Sequence, residues 1–250
     1  MKHRLAQLQV ALMLLTRLPA GQLQSPVPTL ASAAWAFPLA GLAVGALSAG
    51  LMALALWLHL PASVAAGLAV AVGLLATGGL HEDGLADLAD GFGGGRTVAQ
   101  KLEIMRDSRI GSYGTLALIA TIGLRWQAIA ALPGPQAVWA LIAIAAASRA
   151  GLPLVMMALP AARADGLGRA ATGGTWRDTG LAALIGAVAL IGALGLNPAL
   201  LVAFALILSG YGMARLALRQ IGGQTGDVLG AIQQLGELAA WLALLAAVNH

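Results

Sequence analysis

Cysteine is absent from this sequence, and charged residues are scarce. The 250 residues contain no cysteine and only 10% Asp, Glu, Lys and Arg, against 59% hydrophobic residues. The absence of cysteine excludes disulfides, thiolate nucleophiles and cysteine-ligated metals. Because soluble domains carry about a quarter charged residues, this composition predicts an integral membrane protein. The net charge of +4 then reflects membrane topology, and no aromatic-interleaved basic patch indicates nucleic-acid binding.

The apolar segments predict an all-α fold, a polytopic helical bundle with an additional helix at the N-terminus. Leucines at 5, 8, 12 and 15 recur at helical spacing, which is typical of an amphipathic helix lying in the membrane interface. A bilayer crossing needs about 20 apolar residues, and about seven such segments occur. We expect residues 1–250 to form a single membrane-embedded domain. The predicted spans are 31–58, 62–80, 113–132, 136–159, 180–196, 198–218 and 228–248.

Basic residues lie on alternate connections, which predicts how the chain is oriented. Lys and Arg precede the first span and occupy the connections after the second, fourth and sixth spans, whereas the other connections carry none. The positive-inside rule places the basic connections in the cytoplasm. We therefore expect a multi-pass protein of the cytoplasmic (inner) membrane whose active site faces the cytoplasm.

Three charged residues fall well inside predicted spans, and a fourth, Arg215, lies at the end of the sixth span. Charges at bilayer depth usually face the bundle interior or a wet cavity, which we expect for Arg125 and Arg149. The alternative is that both lie near a span boundary and extend to the interface. Glu237, inside the last span, needs a partner or a proton.

The polar stretch at 78–91 is the main candidate for chemistry. It holds four of the ten acidic residues, and Asp83, Asp87 and Asp90 are spaced i, i+4 and i+7. On a helix this spacing places the three carboxylates on one narrow face, where they repel unless a cation lies between them. Carboxylates without nearby cysteine favour a hard ion such as Mg²⁺ or Mn²⁺. The alternative is a solvated polar face at the membrane boundary.

The connection after this stretch predicts a short helix with basic residues. Thr97 and Gln100 match a capping box, so we expect a helix over about 98–109. Arg106 and Arg109 are spaced i, i+3 and could bind phosphate oxygens together, or could pair with nearby acids as a surface network. Carboxylates, a glycine bend and an Arg-bearing helix together suit a metal-assisted phosphate site.

Two later connections contain glycines that could serve the same site. In residues 163–175, glycine would let backbone N–H groups approach an anion, although a simple linker explains this composition equally well. Residues 222–227 precede the last predicted span. There, Asp227 either caps the following helix or supplies a further metal ligand.

Three stretches resemble the signatures of the cobalamin synthase family, also called adenosylcobinamide-GDP ribazoletransferases. Residues 81–91, His-Glu-Asp-Gly-Leu-Ala-Asp-Leu-Ala-Asp-Gly, resemble the family pattern HxDGLxDxxDG. Residues 102–111 resemble a second signature and 222–231 a third, which is followed by Glu237. Shorter similarities occur in the same order at 16–19, 148–149 and 166–168, so the resemblance covers nearly the whole chain.

The resemblance implies the last step of nucleotide-loop assembly in cobalamin synthesis. Adenosylcobinamide-GDP and α-ribazole, or its 5′-phosphate, would give adenosylcobalamin, or its phosphate, plus GMP, with Mg²⁺ as cofactor. We expect these metal ligands: Asp83, Asp87, Asp90 and Asp227. The candidates for taking the hydroxyl proton are His81, Glu82 and Asp107. The expected substrate-binding residues are Arg96, Arg106, Ser108, Arg109, Arg149, Gly223 and Thr225.

Two other functions stay open at this point. A polytopic transporter would use Arg125, Arg149 and Glu237 as its polar pathway, but most polar groups lie in the connections, which favours an enzyme. A CDP-alcohol phosphatidyltransferase-like membrane enzyme would also carry an acidic metal motif. Its DGxxAR start is absent here, since Asp87 follows Ala86. As partners we expect the two substrates and the lipid bilayer, and a homo-oligomer or a complex with other cobalamin-assembly enzymes is conceivable.

Overall fold

The computed structural model describes residues 2–170 and 172–248, and this part of the chain is helical and contains no β-strand. The all-α fold class is confirmed. The side chains of Lys2 and Leu167, which belong to stretches considered above, lie outside the description. The helices are α1 (Lys2–Leu15), α2 (Leu30–Ala33), α3 (Phe37–Trp57), α4 (Ala62–Thr77), α5 (Leu80–Gly94), α6 (Val98–Ile104), α7 (Ser112–Ala131), α8 (Gly134–Ala150), α9 (Leu152–Ala158), α10 (Gly166–Ala170), α11 (Trp176–Leu194), α12 (Leu196–Ile221) and α13 (Gly226–Val248).

Six helical segments in the described residues are long and apolar enough to cross a membrane. Each begins and ends within a few residues of a predicted span, so the polytopic membrane bundle is confirmed. Large apolar side chains on their outer faces are exposed, including Phe204 and Ile207 of α12, as expected for helices that face lipid. The segments are Leu30–Trp57, Ser112–Ala131, Gly134–Ala158, Trp176–Leu194, Leu196–Ile221 and Gly226–Val248.

The second predicted span is shorter than expected, because the chain turns sharply at two glycines. Helix α4 has 16 residues and ends at Thr77 rather than Leu80. Gly78 and Gly79 follow with φ of +66° and +68°, a left-handed conformation that glycine adopts without steric cost. The chain then enters α5 at 87° to α4. Since α5 carries four carboxylates, we treat it as a polar helix outside the membrane spans.

Small residues let the membrane helices pack closely. At Gly41 of α3, an added Cβ would lie 2.3 Å from the carbonyl oxygen of Ala145 in α8. At Gly45, one turn later, it would lie 2.6 Å from the carbonyl oxygen of Leu141. Such close backbone approach is how helices associate in lipid, where the hydrophobic effect between them is weak.

The polar connections meet at one end of the bundle. Arg4 of α1 pairs with Asp178 at the start of α11 at 3.0 Å, and Lys101 of α6 donates to Gln220 of α12. The topology prediction requires these connections to share a side, and they do. The capping box at Thr97 is also confirmed, although α6 ends at Ile104 and does not continue to residue 109.

Candidate active site

An open cavity of about 620 Å³ lies beside α5. Of the predicted site residues, Glu82, Asp83, Asp87 and Ser108 line it. The cavity extends from α1 across the bend between α4 and α5 to the connection before α7. Its other polar lining residues are Thr16, Arg17 and Thr77.

Asp83 and Asp87 lie one turn apart on α5 and have no ion-pair partner among the residues that the structure describes. In the described part of the chain, neither has a Lys, Arg or His nitrogen within 4.0 Å. Burial raises the pKa of Asp87 to about 7, with further contributions from nearby Asp83 and Asp227. Arg163, 3.6 Å from the Asp227 carboxylate, partly offsets this rise in the pKa of Asp87. These carboxylates thus favour a cation or a proton beside them.

Two glycines bring Asp227 next to α5. At Gly84 of α5, an added Cβ would lie 3.0 Å from the Cα of Asp227 in α13. At Gly230, one turn further along α13, it would lie 3.1 Å from the carbonyl oxygen of His81. The absence of both side chains lets the two helices cross nearly backbone to backbone, so carboxylates from distant parts of the sequence face the same region.

Thr225, rather than Asp227, caps α13. The Thr225 hydroxyl accepts from the backbone N–H of Val228 at 3.3 Å and donates to Asp227 at 3.1 Å. Capping as the role of Asp227 is therefore wrong. Gly223 packs against the Pro160 carbonyl, and both Gly223 and Thr225 are buried. Neither lines the open cavity, so their predicted substrate-binding role stays a prediction.

Asp90 has a different environment from the other two carboxylates of α5. Its oxygens accept the backbone N–H groups of Gly111 at 2.7 Å and Gly114 at 2.9 Å. The first turn of a helix has unsatisfied N–H groups, and a buried carboxylate satisfies two of them here at α7. The predicted role of Asp90 as a metal ligand stays a prediction, and the structure shows that its oxygens also hold the start of α7. Among residues 2–170 and 172–248, no group of three His, Asp or Glu side chains forms a ready-made metal site.

The basic residues expected to hold phosphate lie away from the open cavity. Arg109 pairs with Asp107 at 2.7 Å, and this hydrogen bond lowers the pKa of Asp107. Arg106 pairs with Asp165 at 2.5 Å, and Arg96 is exposed. None of these five side chains lines the open cavity. The alternative of paired surface charges therefore describes Arg106 and Arg109 better than a phosphate fork does.

A buried polar network lies beneath the open cavity. Arg125 of α7 contacts Glu82 at 3.3 Å, Glu237 at 3.5 Å and Gln234 at 3.1 Å. Arg125 is only 6% exposed, so it faces the bundle interior as predicted, and the interfacial alternative is wrong. Glu237 has the partner that its position requires.

Arg149 and His81 are buried close to this network. Arg149 donates to the carbonyl oxygen of Ala145 at 2.7 Å and, with Glu82, lines a small internal cavity of about 30 Å³. His81 is 3% exposed, and neither residue lines the open cavity. The substrate-binding role of Arg149 and the proton-accepting role of His81 stay predictions.

Two basic residues at the site were absent from the predicted set. Arg17, just after α1, lines the open cavity, and its backbone N–H donates to the Ala76 carbonyl at 2.7 Å. The family-like stretch at 16–19 was a signal that could have identified it. Arg163 faces Asp227 and donates to the Leu102 carbonyl at 2.9 Å. Nothing in its local sequence indicated this contact.

Comparison with known proteins agrees with the family resemblance. The model of the cobalamin-5-phosphate synthase family matches residues 7–245. A protein of Bradyrhizobium diazoefficiens named adenosylcobinamide-GDP ribazoletransferase is 48% identical over 243 residues, covering 96% of this chain and 94% of the relative. One from Azorhizobium caulinodans with the same name is 46% identical, covering 98% of each chain. One from Mesorhizobium japonicum is 44% identical, covering 96% of this chain and 93% of the relative. No solved structure matches the chain.

Proposed function

Because the chain belongs to the cobalamin-5-phosphate synthase family, we propose that it catalyses the adenosylcobinamide-GDP ribazoletransferase reaction. Adenosylcobinamide-GDP and α-ribazole, or its 5′-phosphate, give adenosylcobalamin, or its phosphate, and GMP. The observation that carries this proposal is the open cavity, where the unpaired carboxylates of Asp83 and Asp87 lie in the same lining as Arg17. Carboxylates and a guanidinium around one space suit a pyrophosphate substrate.

The residues present fit a magnesium ion that is held partly by substrate. Mg²⁺ is usually bound by one or two carboxylates together with substrate phosphates. Asp83 and Asp87 supply two carboxylates without a paired cation, and Asp227 lies across the helix crossing. When bound, Mg²⁺ neutralises charge on the phosphate oxygens. We leave Asp90 out of this set, because its oxygens accept hydrogen bonds from backbone N–H groups at the start of α7.

Residues of the chain then position the two substrates and take up the proton. A ribose hydroxyl of α-ribazole attacks the phosphorus on the corrinoid side of the pyrophosphate, so that a phosphodiester bond forms as the P–O bond to GMP breaks. The 5′-oxygen is not the nucleophile, because it already carries the phosphate in α-ribazole 5′-phosphate. Of the three candidate proton acceptors, Glu82 alone lines the open cavity, so we assign the proton to Glu82. Arg17 donates to the phosphate oxygens and Ser108 lines the same wall.

We propose that the reaction takes place on the cytoplasmic side of the inner membrane. The basic connections support this orientation through the positive-inside rule, and their mutual contacts place them at the same end as α5. Residues 1–250 act as one transferase domain in this proposal. Crosslinking in membranes would test whether copies of the chain, or other cobalamin-assembly enzymes, associate with it.

The transporter alternative has less support. A transport pathway needs polar groups that line a continuous space, whereas Arg125 is paired with Glu82 and Glu237 around an internal cavity of only about 30 Å³. The phosphatidyltransferase alternative is disfavoured by the family membership.

The decisive experiment measures GMP release by the purified protein in lipid nanodiscs. With adenosylcobinamide-GDP, α-ribazole and Mg²⁺, we expect GMP and the cobalamin product in equal amounts, and neither when Mg²⁺ is removed by chelation. Asp83→Asn should release no GMP, while Asp165→Asn, in an exposed ion pair, should resemble the wild type. No GMP from the wild type with any divalent metal would refute the proposal.

A further inference from the structure

A second cavity, of about 170 Å³, lies on the other side of Asp83. It is enclosed by α1, α5, α9 and α13 and by the start of the first membrane segment. Most of its lining is apolar, so we call it the apolar cavity. Six of its lining side chains are Leu15, Leu30, Phe37, Leu152, Met156 and Leu229.

The apolar cavity and the open cavity meet at a carboxylate. Leu14, Leu80 and Asp83 line both of them. Asp227 lines the apolar cavity, and Asp87 lines the open cavity. The proposed metal ligands therefore lie at the junction of one polar space and one apolar space. This arrangement suits a transfer between a charged substrate and one that carries an apolar ring.

We propose that the apolar cavity binds the aromatic base of α-ribazole, while the open cavity takes the pyrophosphate of the other substrate. This assignment rests on the proposed function. The base is a dimethylbenzimidazole, a flat and mostly apolar bicyclic ring. An apolar cavity of about 150 Å³ binds benzene, so a cavity of about 170 Å³ admits an aromatic ring and leaves the ribose outside. The ribose and its attacking hydroxyl then lie at the junction, beside Asp83.

Filling the apolar cavity tests this assignment through the two Michaelis constants. Leu30 is a half-buried lining residue, so Leu30→Trp puts an indole into the cavity. We expect the KM for α-ribazole to rise at least about tenfold, since overfilling displaces the ring, while the KM for adenosylcobinamide-GDP stays within about twofold. The matched control is Leu200→Trp, at a side chain that is 60% exposed on α12, with both constants unchanged.

A binding measurement with the free base keeps the proposal testable if Leu30→Trp folds poorly. Dimethylbenzimidazole is added to the wild-type protein in nanodiscs, and its contact with the protein is followed by saturation-transfer NMR. We expect saturable binding that α-ribazole displaces and adenosylcobinamide-GDP does not. In the kinetic assay, the free base should inhibit competitively against α-ribazole only.

Specific outcomes would overturn the assignment. One is competition between the free base and adenosylcobinamide-GDP; another is a Leu30→Trp variant that is folded and has an unchanged KM for α-ribazole. Displacement of the base by added phospholipid alone would show that an acyl chain occupies the apolar cavity. These results are separate from failure of the proposed function, which would appear as absence of GMP from the wild type.

Discussion

Arg125 of α7 and Glu82 of α5 form an ion pair of 3.3 Å inside the bundle. Their side chains are only 7% and 10% exposed. Glu82 directly precedes Asp83, so this pair ties the start of α5 to a membrane helix. The same guanidinium also contacts Glu237 of α13, and the three helices around the site are thereby held by one side chain.

Removing the guanidinium should destabilise the bundle strongly. Arg125→Met removes the cationic partner of two carboxylates in the interior, which costs about 3–5 kcal/mol of unfolding free energy. Denaturant unfolding in nanodiscs would measure this loss. The double variant Arg125→Met/Glu82→Gln should recover part of it, because one unpaired charge is removed. Arg109→Met, at an exposed pair, is the control and should unfold like the wild type.

Substitutions of Asp87 and Asp90 should have different effects, the first on catalysis and the second on stability. Asp87→Asn should lower kcat/KM at least about a hundredfold, since a carboxylate at the reacting phosphate is lost, with little change in thermal unfolding. Asp90→Ala should instead cost about 1–2 kcal/mol of stability, because the N–H groups at the start of α7 lose their acceptor, and keep most activity below the unfolding temperature. Equal loss of Mg²⁺-dependent activity in both variants would restore Asp90 to the metal set.

The phosphate-binding role should lie with Arg17 rather than with Arg109. Arg17→Ala removes a charged donor from the open cavity and should lower kcat/KM for adenosylcobinamide-GDP about tenfold to a hundredfold. Arg17→Lys should recover part of the lost kcat/KM, because lysine restores the positive charge but not the planar guanidinium that binds two phosphate oxygens. Arg109→Ala should have no effect on steady-state kinetics. The opposite pattern would show that the connection before α7 closes over substrate.

The glycine crossing of α5 and α13 should tolerate no side chain. Gly84→Ala places a Cβ 3.0 Å from the Cα of Asp227, so the helices must move apart and activity should fall about tenfold or more. Gly212→Ala in α12 meets nothing within 4 Å and is the matched control. It should keep full activity and gain up to about 1 kcal/mol of helix stability. Wild-type activity in Gly84→Ala would show that the crossing does not set the site.

The sequence predicted the membrane segments closely because hydrophobic length and helix-breaking residues act locally. Six spans, the capping box at Thr97 and the interior position of Arg125 are all confirmed. The predicted end of the second span was wrong. Leu80 is apolar, so hydropathy extended the span to it, whereas two glycines turn the chain before that residue.

The candidate site was harder to predict, because long-range contacts decide which charges are free. Asp90 shares the helical spacing of Asp83 and Asp87, yet the start of α7 uses its oxygens. Arg106 and Arg109 have suitable spacing for phosphate, yet each pairs with a nearby acid in the structure. Arg17 and Arg163 reach the site from distant segments, and no periodicity in the sequence relates them to α5.

The contact between Arg125 and Glu237 has a consequence for biosynthesis, since the two residues are 112 positions apart. Glu82 precedes Arg125 in the chain and is synthesised first, so this carboxylate is available when Arg125 enters the bilayer. The second carboxylate arrives only with α13, which also brings Asp227 and the Gly230 crossing. Before α13 is inserted, the interior holds two buried guanidinium groups, Arg125 and Arg149, and only one of the two carboxylates near them. Insertion of α13 therefore balances these charges and assembles the site in the same event, and a chain stalled before it would present an unbalanced positive charge to membrane quality control.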